Sequence, residues 1–254
     1  MHEPILALRG VDKSFGAVRA LRGVDLTVRA GEVTALIGDN GAGKSTVVKC
    51  IAGLHRIDGG EVRFAGRPVQ IRHPRDAVEL GIETVHQDLA LCDDLDVVQN
   101  MFLGRERGVR ALLDETGMEL AARDTLRSLS VRTVGSVRAK AGSLSGGQRQ
   151  AVAIARAVLW NSRVVVLDEP TAALGVAQTR QVLDLIRRLA EQGLGVVLIS
   201  HNMSDVFEVA DRVAVLHLGR MAAELPAREL THRQVVELMI AGRSGELGLA
   251  RPAV

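Results

Sequence analysis

Apolar residues along this chain fall into short runs of two different periods. Runs at 33–37, 164–167 and 196–199 are almost wholly apolar, as expected of strands buried on both faces of a sheet. Shorter β-type runs at 5–9, 25–28, 61–64, 82–85 and 213–216 add to them, and Gly59 and Gly60 punctuate the chain before the run at 61–64. Between these runs the period changes to that of a helix. From Lys44 onward, Val47, Val48, Ile51 and Leu54 share one face, 115–129 is helix-compatible, and an amphipathic helix is predicted over 179–191. Thr231 and Gln234 have capping-box spacing and open a helical segment with Val235, Val236, Leu238 and Met239, beyond which 242–254 is expected to fray. From Leu89 to about Ala155 the β signal fades, which predicts a helical insertion. Strands alternating with helices predict an α/β fold with a parallel sheet covered on both faces.

Composition narrows the picture in a few places. With 254 residues the chain can bury a sizeable core, as one domain or a domain with a smaller insertion. Aromatics are only 2%, with no Tyr and one Trp, so the core must be built from Val, Leu, Ile and Ala, and each aromatic is worth locating. A formal charge of +2 argues against a surface that coats nucleic acid. Cys50 and Cys92 belong to no metal-binding pattern and read as reduced thiols of a cytosolic protein. The apolar runs are far shorter than the roughly 20 residues of a membrane-spanning helix. The start, with His2, Glu3 and Pro4, lacks the basic region and apolar core of a secretory signal, so the protein is expected to stay where it is made.

Three segments carry chemistry. Gly38, Asp39, Asn40, Gly41, Ala42, Gly43, Lys44 and Ser45 fit G-x-x-x-x-G-K-[ST] between a strand and a helix, the context that motif requires. Such glycines let successive backbone N–H groups point at phosphate oxygens, and Lys44 neutralises charge on the β- and γ-phosphates. Ser45 would place its hydroxyl on Mg²⁺, with Thr46 on the α-phosphate side. The second segment is the strand at 164–167, which ends in Asp168 and Glu169. In open α/β sheets ligands bind at the carboxyl ends of strands. Asp168 would therefore ligate Mg²⁺ directly or hold one of its waters, leaving Glu169 to orient or deprotonate the attacking water. The third is Leu144, Ser145, Gly146, Gly147 and Gln148, a helix start with capping-box spacing whose two glycines would leave backbone N–H groups open to an anion such as a γ-phosphate.

With these residues in view, the chain resembles the nucleotide-binding subunits of the ATP-binding cassette family from about residue 6 to 225, and residues 144–148 match that family's signature motif letter for letter. The resemblance implies a P-loop NTPase core with a mainly parallel sheet, an N-terminal antiparallel β subdomain and an inserted α-helical subdomain. Residues 1–88 and 156–225 would form the core, 89–155 the helical subdomain, and 226–254 a C-terminal helix and tail. It also implies a head-to-tail homodimer in which the phosphate loop of one copy and the signature of the other sandwich each ATP. Within that scheme Phe15 looks like the aromatic that stacks on adenine, the other place for it being the core. Gln87 resembles the loop glutamine that senses Mg²⁺ and joins the helical subdomain to the core, and His201 the switch histidine that contacts the γ-phosphate. One departure stands out. After Glu169, Pro170 and Thr171 the family usually ends a segment with Leu-Asp, where this chain has Ala172, Ala173, Leu174 and Gly175. The resemblance therefore implies slower or differently coupled hydrolysis.

The run 66–106, together with 169–175, is similar to ATPases of bacterial simple-sugar importers. That likeness implies a homodimer docked beneath two permease subunits on the cytoplasmic face of the inner membrane, with 89–103 as the docking surface and a sugar-binding protein as an indirect partner. No nucleic-acid partner is expected. The alternatives are a soluble ATPase of the same family acting on nucleic acid or the ribosome, and a regulatory nucleotide-binding module without turnover.

Overall fold

The computed structural model describes residues 4–109 and 112–245. The expectations about His2 and Glu3, and about the tail beyond 245, lie outside that range. Along the chain, β1 (Leu6–Phe15), β2 (Val18–Val28) and β3 (Val33–Ile37) lead into α1 (Lys44–Ile51), then β4 (Gly59–Phe64), β5 (Arg67–Val69), α2 (Pro74–Glu79) and β6 (Ile82–Val85). Next come α3 (Val97–Phe102), the two-residue strands β7 (Gly108–Val109) and β8 (Leu112–Leu113), α4 (Glu115–Ser128) and α5 (Gly146–Val158). The chain then alternates through β9 (Val164–Asp168), α6 (Val176–Glu191), β10 (Gly195–Ile199), α7 (Met203–Val209) and β11 (Arg212–His217), before β12 (Arg220–Pro226) and α8 (His232–Ala241).

These strands form two main sheets. One is antiparallel, in the order β2-β1-β4-β5; the other runs β12-β11-β3-β10-β9-β6, parallel throughout except for β12 on its edge. Alternate residues of the parallel strands serve different cores. Val165, Leu167, Val196 and Leu198 pack under α5 and α6, whereas Val164, Val166, Val197 and Ile199 pack toward α1 and the antiparallel sheet. Both faces are buried, so the strands read as continuous apolar runs with no polar alternation. A third cluster joins Ala35, Ile37, Val213 and Val215 to Val235 and Leu238 of α8.

Several elements differ from their sequence pattern. Helix α1 stops at Ile51, and the chain turns back with the Leu54 and His55 N–H groups both donating to the Lys49 carbonyl. Leu54 is consequently half exposed and does not join the apolar face. Gly59 and Gly60, expected as punctuation, lie inside β4, where Gly59 pairs with Asp12. The strand β12 was not anticipated: its Met-Ala-Ala run carries no β signal and is made a strand by pairing with β11. The hairpin β7–β8 likewise interrupts a segment expected to be helical. Past α8, Gly242 adopts the left-handed cap (φ 66°), and Ser244 is buried with its hydroxyl donating to Glu237, so fraying does not begin at 242.

Candidate functional site

The phosphate loop joins β3 to α1 under tight steric conditions. A Cβ on Gly38 would lie 2.3 Å from the Leu216 carbonyl oxygen, so only glycine lets the loop leave β3 this close to β11. Gly43, at φ 108°, is the N-cap of α1 and offers no side chain to cap it. First-turn N–H groups are thereby left for an anion, which the helix dipole also favours. The Lys44 ammonium folds back on the loop, donating to the carbonyls of Gly38 at 2.7 Å and Asp39 at 3.1 Å. Asp39 in turn accepts the Asn40 N–H at 2.7 Å. Beside the loop is a cavity of about 390 Å³, lined by residues 40–46 together with Val18, Arg19, Arg22 and Leu218. Ser45 is exposed and Thr46 half-buried.

Sheet order, which differs from chain order, assembles the remaining groups. The strands β3, β10, β9 and β6 are consecutive parallel neighbours, with Leu36 opposite Ile199, Ile199 opposite Asp168, and Leu167 opposite Val85. Their carboxyl ends thus share one edge. There the phosphate loop, the turn with His201, the pair Asp168 and Glu169, and the turn with Gln87 follow one another across the sheet.

Glu169 has a left-handed backbone (φ 52°), an uncommon conformation for a residue with a Cβ, and its N–H donates to the Ile199 carbonyl at 2.9 Å. Its carboxylate meets His201 Nδ1 at 2.7 Å, the imidazole being largely exposed and the carboxylate largely buried. Burial first, and then the adjacent Glu169 charge, holds the Asp168 carboxyl above the usual carboxylate range, while His86, Lys44 and Lys49 pull it back. Two neighbouring acids with unbalanced charge at the end of a buried strand suit a hard cation. No group of three or more His, Cys, Asp or Glu that could cage a metal occurs among the described residues. A carboxylate at a strand end is a hard oxygen donor of the kind Mg²⁺ takes, one or two from protein with phosphate and water completing the shell.

Ser145 caps α5 as its spacing predicts: the Ser145 hydroxyl accepts the Gln148 N–H, and the Gln148 side-chain oxygen accepts the Ser145 N–H at 2.8 Å. The glycines between them have a packing cause as well. A Cβ on Gly146 would lie 3.0 Å from Leu174 Cδ2, and one on Gly147 would lie 3.1 Å from Gln178 Cβ, because the start of α6 lies against them. Gly146 remains exposed and Gly147 is buried. The signature residues are not among those lining the phosphate-loop cavity. Phe15 also lies outside that lining; it is 44% exposed, met edge-on by His55 with ring centroids 5.0 Å apart, so it is not a core residue. Gln87 is exposed.

Three features escaped the sequence pattern. Arg156 of α5 donates from Nη1 to the Ala90 carbonyl and from Nη2 to the Leu89 carbonyl, both at 2.9 Å, and so grips the segment after Gln87. Asn100 is fully buried: its amide donates to the carbonyls of Cys92, Leu95 and Asp96 and accepts the Cys92 N–H. A polar residue inside an otherwise apolar stretch was the available signal for both. The third, a bond from Thr171 Oγ1 to Asp205 Oδ2 at 2.6 Å, joins residues 34 apart in sequence and had no such signal.

Comparison with known proteins gives a consistent result. The family model for ABC transporters matches residues 21–172, a span that contains the phosphate loop, Gln87, residues 144–148 and the acidic pair. The chain is 45% identical to the xylose/arabinose import ATP-binding protein of Sulfolobus acidocaldarius, over 96% of this chain and 97% of that one. It is 47% identical to the fructose import ATP-binding protein of Rhizobium meliloti, over 93% and 94%. Among solved structures, a nucleotide-free ATP-binding cassette from an ABC transporter superposes with TM-score 0.81 at 28% identity, covering 94% of this chain and all of that one. A dimeric post-hydrolysis cassette bound to ADP and Pi superposes with TM-score 0.72 at 27% identity, covering 88% and 99%.

Proposed function

Because this chain belongs to the ABC transporter family and is an ATPase, we propose that two copies of it close around ATP and Mg²⁺ to drive the import of a simple sugar. The observation that carries this reading is the shared strand edge. It sets the phosphate loop, Glu169, His201 and Gln87 side by side, with Glu169 and His201 already in contact at 2.7 Å.

In this reading the amides of residues 38–46 hold the phosphates, and Lys44 leaves its two loop carbonyls for the β- and γ-phosphate oxygens. Phe15, 44% exposed with the Lys13 ammonium 5.4 Å from its ring centroid, stacks on adenine. Asp168, Ser45 and Gln87 hold Mg²⁺, which when bound neutralises charge on the β- and γ-phosphate oxygens. Glu169 orients or deprotonates the attacking water, and His201, paired with it, reaches the γ-phosphate. The exposed amide of Gly146 and the Ser145 cap, with Gly147 and Gln148 behind them, complete the partner copy's site. Dimeric ABC cassettes of the same fold support the pairing.

No helix among the described residues is long and apolar enough to cross a membrane. By likeness to the import ATP-binding relatives, the dimer sits on the cytoplasmic face of the inner membrane beneath two permease subunits, with residues 89–103 as the docking surface and a sugar-binding protein delivering cargo outside. The relatives' names, xylose/arabinose and fructose import, support a sugar as cargo. Closure of the dimer would move the permease, and hydrolysis with product release would reset it.

The test is Glu169→Gln. The variant should keep ATP affinity, lose about 10²-fold or more in turnover, and form a nucleotide-dependent dimer in size-exclusion chromatography. A variant that remains monomeric at saturating ATP, or that hydrolyses at the wild-type rate, overturns the reading.

A further inference from the structure

Glu169 occupies a left-handed conformation that a residue with a Cβ adopts only when its surroundings hold it there, and Ala173, four residues on, is left-handed too (φ 59°). The turn between them makes few bonds of its own: the Ala172 N–H donates to the Glu169 carbonyl at 3.1 Å, and the Leu174 N–H to the Thr171 carbonyl at 3.3 Å. The side chain in the middle of this turn, Thr171, reaches out of it to Asp205 at 2.6 Å. Asp205 is buried, with a relative exposure of 6%, and Thr171 is the only side-chain partner its carboxylate shows among the described residues.

Asp205 lies in the first turn of α7, directly after the switch turn. Asn202, the neighbour of His201, caps that helix by accepting the N–H groups of Ser204 and Asp205, and the Asn202 N–H donates to the Ser200 hydroxyl. His201 is thus embedded in a bonded corner whose far side is Asp205. Beyond the backbone bond from the Glu169 N–H to the Ile199 carbonyl, two side-chain contacts join these chain segments: Glu169 with His201, and, two and four residues further along, Thr171 with Asp205. The outer bond is short, charge-assisted and part-buried, with Asp205 itself buried, whereas the inner pair includes a 75% exposed imidazole.

We propose that Thr171 and Asp205 form a latch that positions Glu169 relative to His201, so that the water-activating carboxylate and the switch histidine are presented to the γ-phosphate as a unit. This rests on the assignment of Glu169 and His201 made above. Neither latch residue touches nucleotide in the proposal; both act through the two loops they join. The strained backbone at Glu169 is anchored on its N-terminal side by its own N–H on the Ile199 carbonyl, and among the described residues the turn that follows has two internal backbone bonds, so the Thr171–Asp205 bond is the side-chain tie that holds the far side of the turn.

The consequence is a separation of turnover from binding. Thr171→Val keeps the side-chain shape and removes the donor, and should lower kcat about tenfold or more, since small misplacements of a catalytic group are costly in rate. The Kd for ATP, measured by fluorescent-analogue displacement, should stay within about twofold, because the phosphate loop is untouched. Asp205→Ala should give the same split, and the Thr171→Val/Asp205→Ala double variant should be no slower than the slower single variant, as expected of two groups acting through one bond. Thr171→Ser restores the donor and should restore most of the rate. The latch is refuted if Thr171→Val turns over at the wild-type rate, if Thr171→Ser is as slow as Thr171→Val, or if the two single losses multiply in the double variant. It is equally refuted if ATP affinity falls in step with kcat, which would mark a general loosening of the fold. Full activity in Thr171→Val together with an inactive Glu169→Gln would sink the latch alone. Normal turnover in Glu169→Gln would sink the underlying assignment.

Discussion

Removing the ammonium of Lys44 tests how the phosphate loop spends its charge. In the structure that ammonium is bonded to two carbonyl oxygens of its own loop, at 2.7 and 3.1 Å, so binding a nucleotide exchanges partners and does not create bonds to a free cation. Hydrogen bonds to a charged group contribute about 1.5–3 kcal/mol each. A phosphate oxygen carries far more negative charge than a peptide carbonyl, so the exchange should favour the nucleotide by roughly 2–4 kcal/mol in total, or about 30- to 1000-fold in affinity. Lys44→Ala forfeits that gain. The same change takes the Lys44 donor from the part-buried bond to the Gly38 carbonyl and from the exposed bond to the Asp39 carbonyl, which keeps the Ala42 N–H, at a cost of about 1–2 kcal/mol to the nucleotide-free fold. Calorimetric titration with ATP measures the first effect, and a thermal melt without nucleotide measures the second, with Tm expected about 2–8 °C lower. ATP affinity within about threefold of wild type would refute the exchange and, with it, the placing of Lys44 on the phosphates.

Two further outcomes follow from buried polar groups. The Asp168 carboxyl titrates above its reference value of 3.8, chiefly because of burial, so the folded state holds that proton more tightly than the unfolded chain does. Its contribution to stability is therefore fully present below 3.8 and is lost as pH rises through the folded-state value. Asp168→Asn should raise the Tm of the nucleotide-free protein at neutral pH, with the gain shrinking toward pH 3.8, while ATPase activity should need more Mg²⁺; a lower Tm at neutral pH would contradict this. Asn100→Leu removes a side chain that bonds four backbone groups between Cys92 and Asp96; the three carbonyls each keep a backbone donor, and the Cys92 N–H loses its acceptor. The leucine should cost about 1–3 kcal/mol and lower Tm by about 2–12 °C in a thermal melt, and a change below about 2 °C would show that water replaces the amide there.

Local rules were enough for much of this protein. The phosphate loop was legible because a strand, a set of glycines and a Lys-Ser pair at the mouth of a helix are all neighbours in sequence. The caps of α5 and α8 were legible because Ser145 with Gln148, and Thr231 with Gln234, are three residues apart. Strands buried on both faces announced themselves as unbroken apolar runs, and the acidic pair was conspicuous at the end of one of them. The strand β12 was not legible, because it depends on pairing with β11, and neither was the end of α1, where Leu54 and His55 turn back onto the Lys49 carbonyl although Leu54 continues the apolar spacing.

What the amino-acid sequence determined by itself, then, is the set of parts: which segments are strands, which turn can cradle an anion, which acids stand at a strand end. What tertiary structure alone decided is their adjacency. Residues 38–45, 87, 168–169 and 201 share one sheet edge because the strands line up as β3-β10-β9-β6, an order that no local pattern encodes. Thr171 meets Asp205, and Arg156 meets the turn after Gln87, across 34 and 66 residues of chain. The physical reason is that propensity and capping act over a few residues, whereas strand order is chosen by how whole apolar faces are covered at once.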